Sequence, residues 1–356
     1  MPSITQKIIY KILEAGGKAP SGSNSQPWRF KINGNQIEIL ALPEKDHPIL
    51  NFRHRGTWVA HGALIENIII AANALGYHTE VFYPPLLPES KTTAKITLSE
   101  TVVINKDLYE AIFHRATNRK PYLLEALNKE QKIELLKQAQ NVNSGEFILI
   151  EDVQKIRELA KASSANEILM LEEQSLHKLF FEEIVWTEEE ERRKQHGLYL
   201  KTMELKPPAD KILKLLSNWR LMSLLAKLGF AKKIAKTNEE SYAACPAIGA
   251  IIIENNDDQF LSAGRIMERV WLTATKLGLS CHLMTGVIFF WQQLSIDPNF
   301  ISKTHANLIE ESYQQIAKTA GVEKTNKIVA LLMRIGQADK PSGHSSKVPI
   351  KNLILQ

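Results

Sequence analysis

The chain has 356 residues, 44% of them hydrophobic, which is more than one core usually organises, so one two-lobed domain or two tightly joined halves is expected. The formal charge of +5, from 44 basic against 39 acidic residues, is too mild to argue for a nucleic-acid partner. Two cysteines outside any Cys-x-x-Cys pair, Cys245 and Cys281, argue against a disulfide framework or a zinc site, and the absence of a signal-peptide pattern or a bilayer-length apolar run predicts a cytoplasmic protein.

In chain order, residues 8–13 have amphipathic helical spacing, and 28–40 read as a strand broken by a turn at Asn33-Gly34. Between them lies APSGSNSQPWRF, a loop of small polar residues pinned at both ends. Such a loop can approach a polar ligand closely through hydroxyls, amides and free backbone N–H groups; the plain alternative is a loop that spends these residues on its own turns.

An internal repeat follows. ENIIIAANALGY, from Glu66, aligns with ERVWLTATKLGL, from Glu268, at one constant offset, and Gly62 falls opposite Gly264. Each copy predicts a helix buried on nearly all sides, ended by a glycine and followed by a short strand, 78–83 or 280–284. Two buried Ala/Leu helices can also look alike by chance. If the repeat is real, two similar halves meet around a pseudo-twofold axis, and their interface is a natural ligand site.

Pro84, Pro85 and Pro88 break the chain, and 91–101 reads as a polar, strand-prone linker. Helices are predicted over 107–114, over 127–140 with Asn128 and Gln131 as a capping box, and over 152–163; 165–200 reads as helical and strongly charged. Strands are predicted at 147–150, 247–253 and 327–335. Helices alternating with few, mostly apolar strands favour an α+β, three-layer arrangement. The stretch 211–237 is basic and amphipathic, a pattern that can bind a membrane surface, although amphipathic helices of globular proteins usually face their own core.

HRATNRKPY sets Arg115 and Arg119 four residues apart around Thr117. Two guanidinium forks and a hydroxyl on one side suit a phosphate, although a solvated basic turn is the ordinary alternative. Arg334 sits among apolar neighbours in LLMRIGQ and needs a partner or an edge position. His54, His61, His282 and His305 are scattered without metal-helix spacing and read as structural, and no Ser-His-Asp constellation is present.

On these residues the sequence resembles the nitroreductase superfamily. APSGSNSQPWRF looks like its flavin-facing loop and HRATNRKPY like its phosphate segment. With FFEEIVWTEEEERRKQHGL, PAIGAIII, GRIMERVWLTATKLGLSCHLMTG and LLMRIGQADKP, they resemble the Acg-like branch, in which two nitroreductase-like halves are fused. The resemblance implies a pseudo-dimer with halves 1–103 and 104–356, a lid insertion at 201–240, and an FMN between the halves. It implies that Arg115, Thr117, Arg119 and Arg334 hold the phosphate, that Pro20, Ser21, Gly22, Ser23 and Asn24 reach the ribityl chain and ring edge, and that Thr285 and Gly286 face the reactive side of the ring. The first half lacks the arginine segment and the second has only Asn141 to Gly145 in place of the full loop, so one FMN per monomeric chain is expected. The activity implied is electron transfer from NAD(P)H to a small flat acceptor, nitroaromatic or quinone; a flavin-binding or flavin-storing protein with a lid over its FMN is the alternative.

Overall fold

A computed structural model describes residues 4–355. The first part of the chain runs α1 (Gln6–Gly16), β1 (Trp28–Asn33), β2 (Gln36–Ala41), α2 (Arg55–Ala74), β3 (Tyr77–Phe82) and β4 (Thr92–Glu100). The strands form one antiparallel sheet in the order β1-β2-β4-β3. Residues read as a polar linker are thus β4, an inner strand of this sheet. Its Thr and Lys residues hid an alternation in which Ala94, Ile96 and Leu98 all point into the core.

The second part begins with α3 (Tyr109–His114), α4 (Lys129–Ala139) and β5 (Glu146–Ile150). Asn128 and Gln131 close the predicted capping box on α4. Then come α5 (Val153–Ser163), α6 (Ala165–Glu172), α7 (Gln174–Glu183), β6 (Ile184–Val185), α8 (Glu188–Lys194) and β7 (Leu198–Tyr199). The stretch read as helical over 165–200 is therefore interrupted, because Ile184-Val185 pairs in parallel with Leu198-Tyr199. Three short helices follow: α9 (Ala209–Leu216), α10 (Trp219–Lys227) and α11 (Phe230–Ala243). The chain finishes with β8 (Ala247–Glu254), α12 (Gln259–Lys276), β9 (Ser280–Leu283), α13 (Gly286–Leu294), α14 (Lys303–Thr319) and β10 (Lys327–Gly336).

The second sheet has the order β5-β8-β10-β9, also antiparallel. In each sheet the buried helix, α2 or α12, precedes an edge strand, β3 or β9, that pairs with the strand following it. The two sheets therefore share one topology. They differ in what is inserted: β1 and β2 are joined by a tight turn, whereas α5 to α11 lie between β5 and β8, and α13 and α14 between β9 and β10. The architecture is α+β.

The two long helices pack on each other at the paired glycines. A Cβ placed on Gly62 would lie 2.1 Å from the Leu261 carbonyl oxygen, and one on Gly264 would lie 2.0 Å from that of Val59. The two contacts are reciprocal at the same offset that aligns the repeat. Its matched glutamates are both fully buried: Glu66 accepts from Arg265 Nε at 2.8 Å and Arg269 Nε at 2.6 Å, while Glu268 faces Arg115 Nε at 3.4 Å.

The C-terminal tail ties the second part to the first. The C-terminal segment runs beside β1, with Phe30 N donating to Leu353 O at 2.9 Å and Leu355 N to Phe30 O at 2.8 Å. The segment after α3 runs beside β9, where Asn118 N donates to Cys281 O at 3.0 Å. Among the described residues no helix is long and apolar enough to cross a membrane.

Candidate functional site

Two adjoining cavities open beside the loop between α1 and β1, the first of them where α2 and α12 meet. The first, about 570 Å³, has an apolar floor made by Val59 and Ala60 of α2, Met267 and Trp271 of α12, Phe289 of α13 and Leu331 of β10. Its walls are Pro20 to Ser23, Ser25, Thr117, Arg119, Thr285 and Gly286. Glu182, Glu183, Val185, Lys194, His196 and Gly197 cover one side. The second cavity, about 730 Å³, is cationic: Lys18, Arg115, Arg119, Lys340 and Lys347 line it together with His114 and His344. Pro20, Ser21, Ser23, Thr117, Arg119 and Gly197 border both, so the two are chambers of one cleft.

The loop between α1 and β1 is shaped by its own side chains. Ser23, Asn24 and Gln26 all adopt positive φ, at 43°, 56° and 51°. Asn and Gln there are held from outside. Gln26 Nε2 donates to Gln195 O at 2.7 Å and its Oε1 accepts from Val348 N at 2.8 Å. Asn24 Nδ2 donates to Ser346 O at 2.8 Å and its Oδ1 accepts from Lys347 Nζ at 2.8 Å. Underneath, the fully buried His61 of α2 meets the Pro27 carbonyl at 2.8 Å through Nε2, and burial holds this imidazole down to about 4. Much of the loop's polarity is therefore spent on fastening it to residues 195–197 and 346–348, and it presents mainly Pro20, Ser21, Gly22 and Ser23 to the cleft.

The predicted residues divide accordingly. Thr117 and Arg119 reach both chambers, and Thr285 and Gly286 border the apolar one. Gly286 packs against α6, where a Cβ would lie 2.8 Å from the Asn166 side chain. Asn24 borders the cationic chamber, but its amide is committed to the tail. Arg115 also lines the cationic chamber, with its guanidinium over Trp271 at 4.5 Å, Nη2 donating to Lys18 O at 3.0 Å, and Nε beside Glu268. Arg334 is not among the lining residues. It is fully buried in β10, donates to Ser241 O at 2.6 Å and Lys120 O at 3.1 Å, and stacks over Tyr122 at 4.2 Å. The partner this charge needed is backbone and an aromatic face.

The covering segment also differs from expectation. Of residues 201–240, Thr202 alone lines either chamber. The stretch 211–237 is cut at Asn218 and at Gly229, whose φ is 77°, into short helices that pack Leu216, Met222 and Ala231 against Leu171 instead.

Two features escaped the sequence. Lys347 is brought to the cationic chamber by the tail that pairs with β1, and it also donates to Ala19 O at 2.6 Å. Burial, then the nearby charge of Arg115, pushes its ammonium down to about 7, partly offset by Glu268. Among the described residues neither Lys347 nor Arg119 forms an ion pair; Arg119 Nη1 donates to Thr202 O at 3.0 Å. Half-buried cations that face a cavity without an ion-pair partner suit an anion. The second feature is a carboxylate pair at the apolar chamber. Asp46 accepts from Ser25 Oγ and from Thr57 Oγ1, both at 2.5 Å, and Glu183 accepts from the Ser23 hydroxyl. Burial pushes both carboxyls up, and Asp46 raises Glu183 further. No group of three or more His, Cys, Asp or Glu among the described residues is placed to hold a metal ion.

No model of a known protein family matches the chain. An uncharacterised protein of Mycobacterium tuberculosis (strain CDC 1551 / Oshkosh) is 22% identical over 347 residues, 96% of this chain and 47% of that protein, so the chain spans about half the length of this relative. Among solved structures, the chain is similar to an FMN-dependent nitroreductase from Clostridium difficile R20291, at 14% identity over 65% of this chain and 88% of that one, with a TM-score of 0.34. It is similar to the NADPH:FMN oxidoreductase of Vibrio harveyi at 11% identity, over 70% and 76% of the two chains, with a TM-score of 0.38. A nitroreductase with bound FMN from Bacteroides fragilis NCTC 9343 matches at 11% identity over 68% and 95%, with a TM-score of 0.37.

Proposed function

We propose that the chain binds one FMN across the two chambers and acts as an oxidoreductase of the nitroreductase type, passing electrons from NADH or NADPH to a small flat acceptor of the nitroaromatic or quinone class. The observation that carries this is the joining of an apolar chamber, at the α2–α12 crossing, to a cationic one, since FMN is an apolar ring system tied to a phosphate. Arg119 and Lys347, half-buried cations without an ion-pair partner, fit that phosphate, with Thr117 between the chambers and Arg115 behind. Val59, Ala60, Met267, Trp271 and Phe289 would offer an apolar surface to the ring, and Pro20 to Ser23 would line the same chamber.

The flavin, when bound, supplies hydride acceptance and electron transfer. What the chain supplies is orientation, exclusion of water and charge balance. Two equivalent sheets and the reciprocal glycine contact support a reading of 1–103 and 104–356 as fused halves, the first giving the small-residue loop and the second the arginine segment. Each half gives one part of the site, which supports one FMN per chain. The cover formed by Glu182 to Val185 and Lys194 to Gly197 favours a second reading, a flavin-holding protein with little turnover.

Anaerobic mixing of the FMN-loaded chain with NADH or NADPH separates the two. Bleaching of the flavin band, and its return on adding a quinone, is the result expected of the oxidoreductase. A bound flavin that stays oxidised would leave the holding role, and failure to bind FMN at all would refute both.

A further inference from the structure

We propose that the outward face of α9 and α10 docks on the surface of an anionic phospholipid bilayer. Amphipathic helices of globular proteins normally turn their apolar stripe inward. Here Leu216 and Met222 face the protein, whereas Ile212, Leu215, Leu221, Leu224 and Leu228 are 38% to 78% exposed. At 3.6 residues per turn both helices divide the same way. On α9, Lys214 and Lys211 lead into Leu215 and Ile212, with Leu216 and Leu213 turned inward. On α10, Lys227 and Arg220 lead into Leu224, Leu228 and Leu221, and Met222 and Leu225 lie opposite.

The charge says what covers this face. No Asp or Glu occurs from Lys211 to Lys236. Among the described residues Lys211, Lys214, Arg220, Lys227, Lys232 and Lys233 form no ion pair, and Lys236 pairs with Glu239. Protruding leucines beside unpaired cations match an interfacial helix, whose apolar side chains enter the headgroup boundary while basic ones meet anionic lipid. A second copy of the chain docked by this same face would set cation against cation. None of these residues lines the cleft, so the surface stands apart from the flavin site.

Co-sedimentation of the full chain with vesicles of phosphatidylcholine alone, or of phosphatidylcholine mixed with phosphatidylglycerol, tests the proposal. Binding is expected only to the mixed vesicles and should weaken with salt. Lys214→Gln with Lys227→Gln should lower partitioning about fivefold per charge, corresponding to about 1 kcal/mol each. Leu224→Gln with Leu228→Gln should weaken it as well, and circular dichroism should be unchanged because all four side chains are exposed. Four results would overturn the proposal: no binding to mixed vesicles, equal binding to both kinds, wild-type affinity in either variant, or vesicle-free dimerisation that the leucine variant abolishes.

Discussion

Arg115 lies against a carboxylate that has no exposure to solvent, and removing either member of such a pair strands the other. Arg115→Ala is therefore expected to destabilise the fold by about 3 kcal/mol, and adding Glu268→Gln should recover much of the loss; denaturant midpoints measure both. Its cost should appear in stability before ligand affinity, unlike that of a free surface clamp. Lys347 behaves differently. Its folded value of about 7 lies below the ordinary 10.5, so as pH rises above neutrality the free protein loses this charge. An incoming phosphate favours the ammonium, so binding takes up a proton and affinity should fall as pH rises above about 7. Lys347→Arg keeps its charge and should flatten that profile in flavin titrations. Thr117 and Arg119 were legible because polar groups crowd one short stretch. Lys347 was not, because its place depends on the tail returning to β1, a contact with no local sequence signal.

Elements were legible where periodicity was strong and mistaken where a polar composition masked it. The buried helices, their terminal glycines and the capping box on α4 follow from local rules. β4 did not, since its polar Thr, Ser, Lys and Glu residues outnumber Ala94, Ile96 and Leu98. The paired glycines yield a prediction at this scale. Gly62→Ala and Gly264→Ala would each drive a methyl into a backbone oxygen that no rotamer change can move. Each should destabilise by about 3 kcal/mol or more, by similar amounts, as thermal unfolding would show. The seat of the loop on α2 gives a pH prediction. His61 has a folded value of about 4 against 6.5 unfolded, so the unfolded chain binds the extra proton between them. Its contribution is intact above 6.5 and is lost as pH falls towards 4. Melting temperature should drop across that window, and less so in His61→Gln.

At the scale of the whole molecule, repetition was legible as a spacing, but the equivalence of the two sheets was not. Long insertions separate β5 from β8 and β9 from β10, and no periodicity reveals pairing across so many residues. The resemblance implies a lid at 201–240, whereas residues between Glu182 and Gly197 border the apolar chamber. If the crossing of α2 and α12 stands for the interface of two subunits, that surface is already used and the chain should be a monomer in dilute buffer by light scattering. Whether one cleft holds both a flavin ring and its phosphate is read by titrating the flavin-free chain with FMN and, separately, with riboflavin, followed by fluorescence quenching. One FMN per chain is expected, with riboflavin bound more weakly by about tenfold or more, as loss of charge-assisted bonds to the phosphate requires. Two FMN per chain, no binding, or equal affinity for riboflavin would contradict the shared cleft.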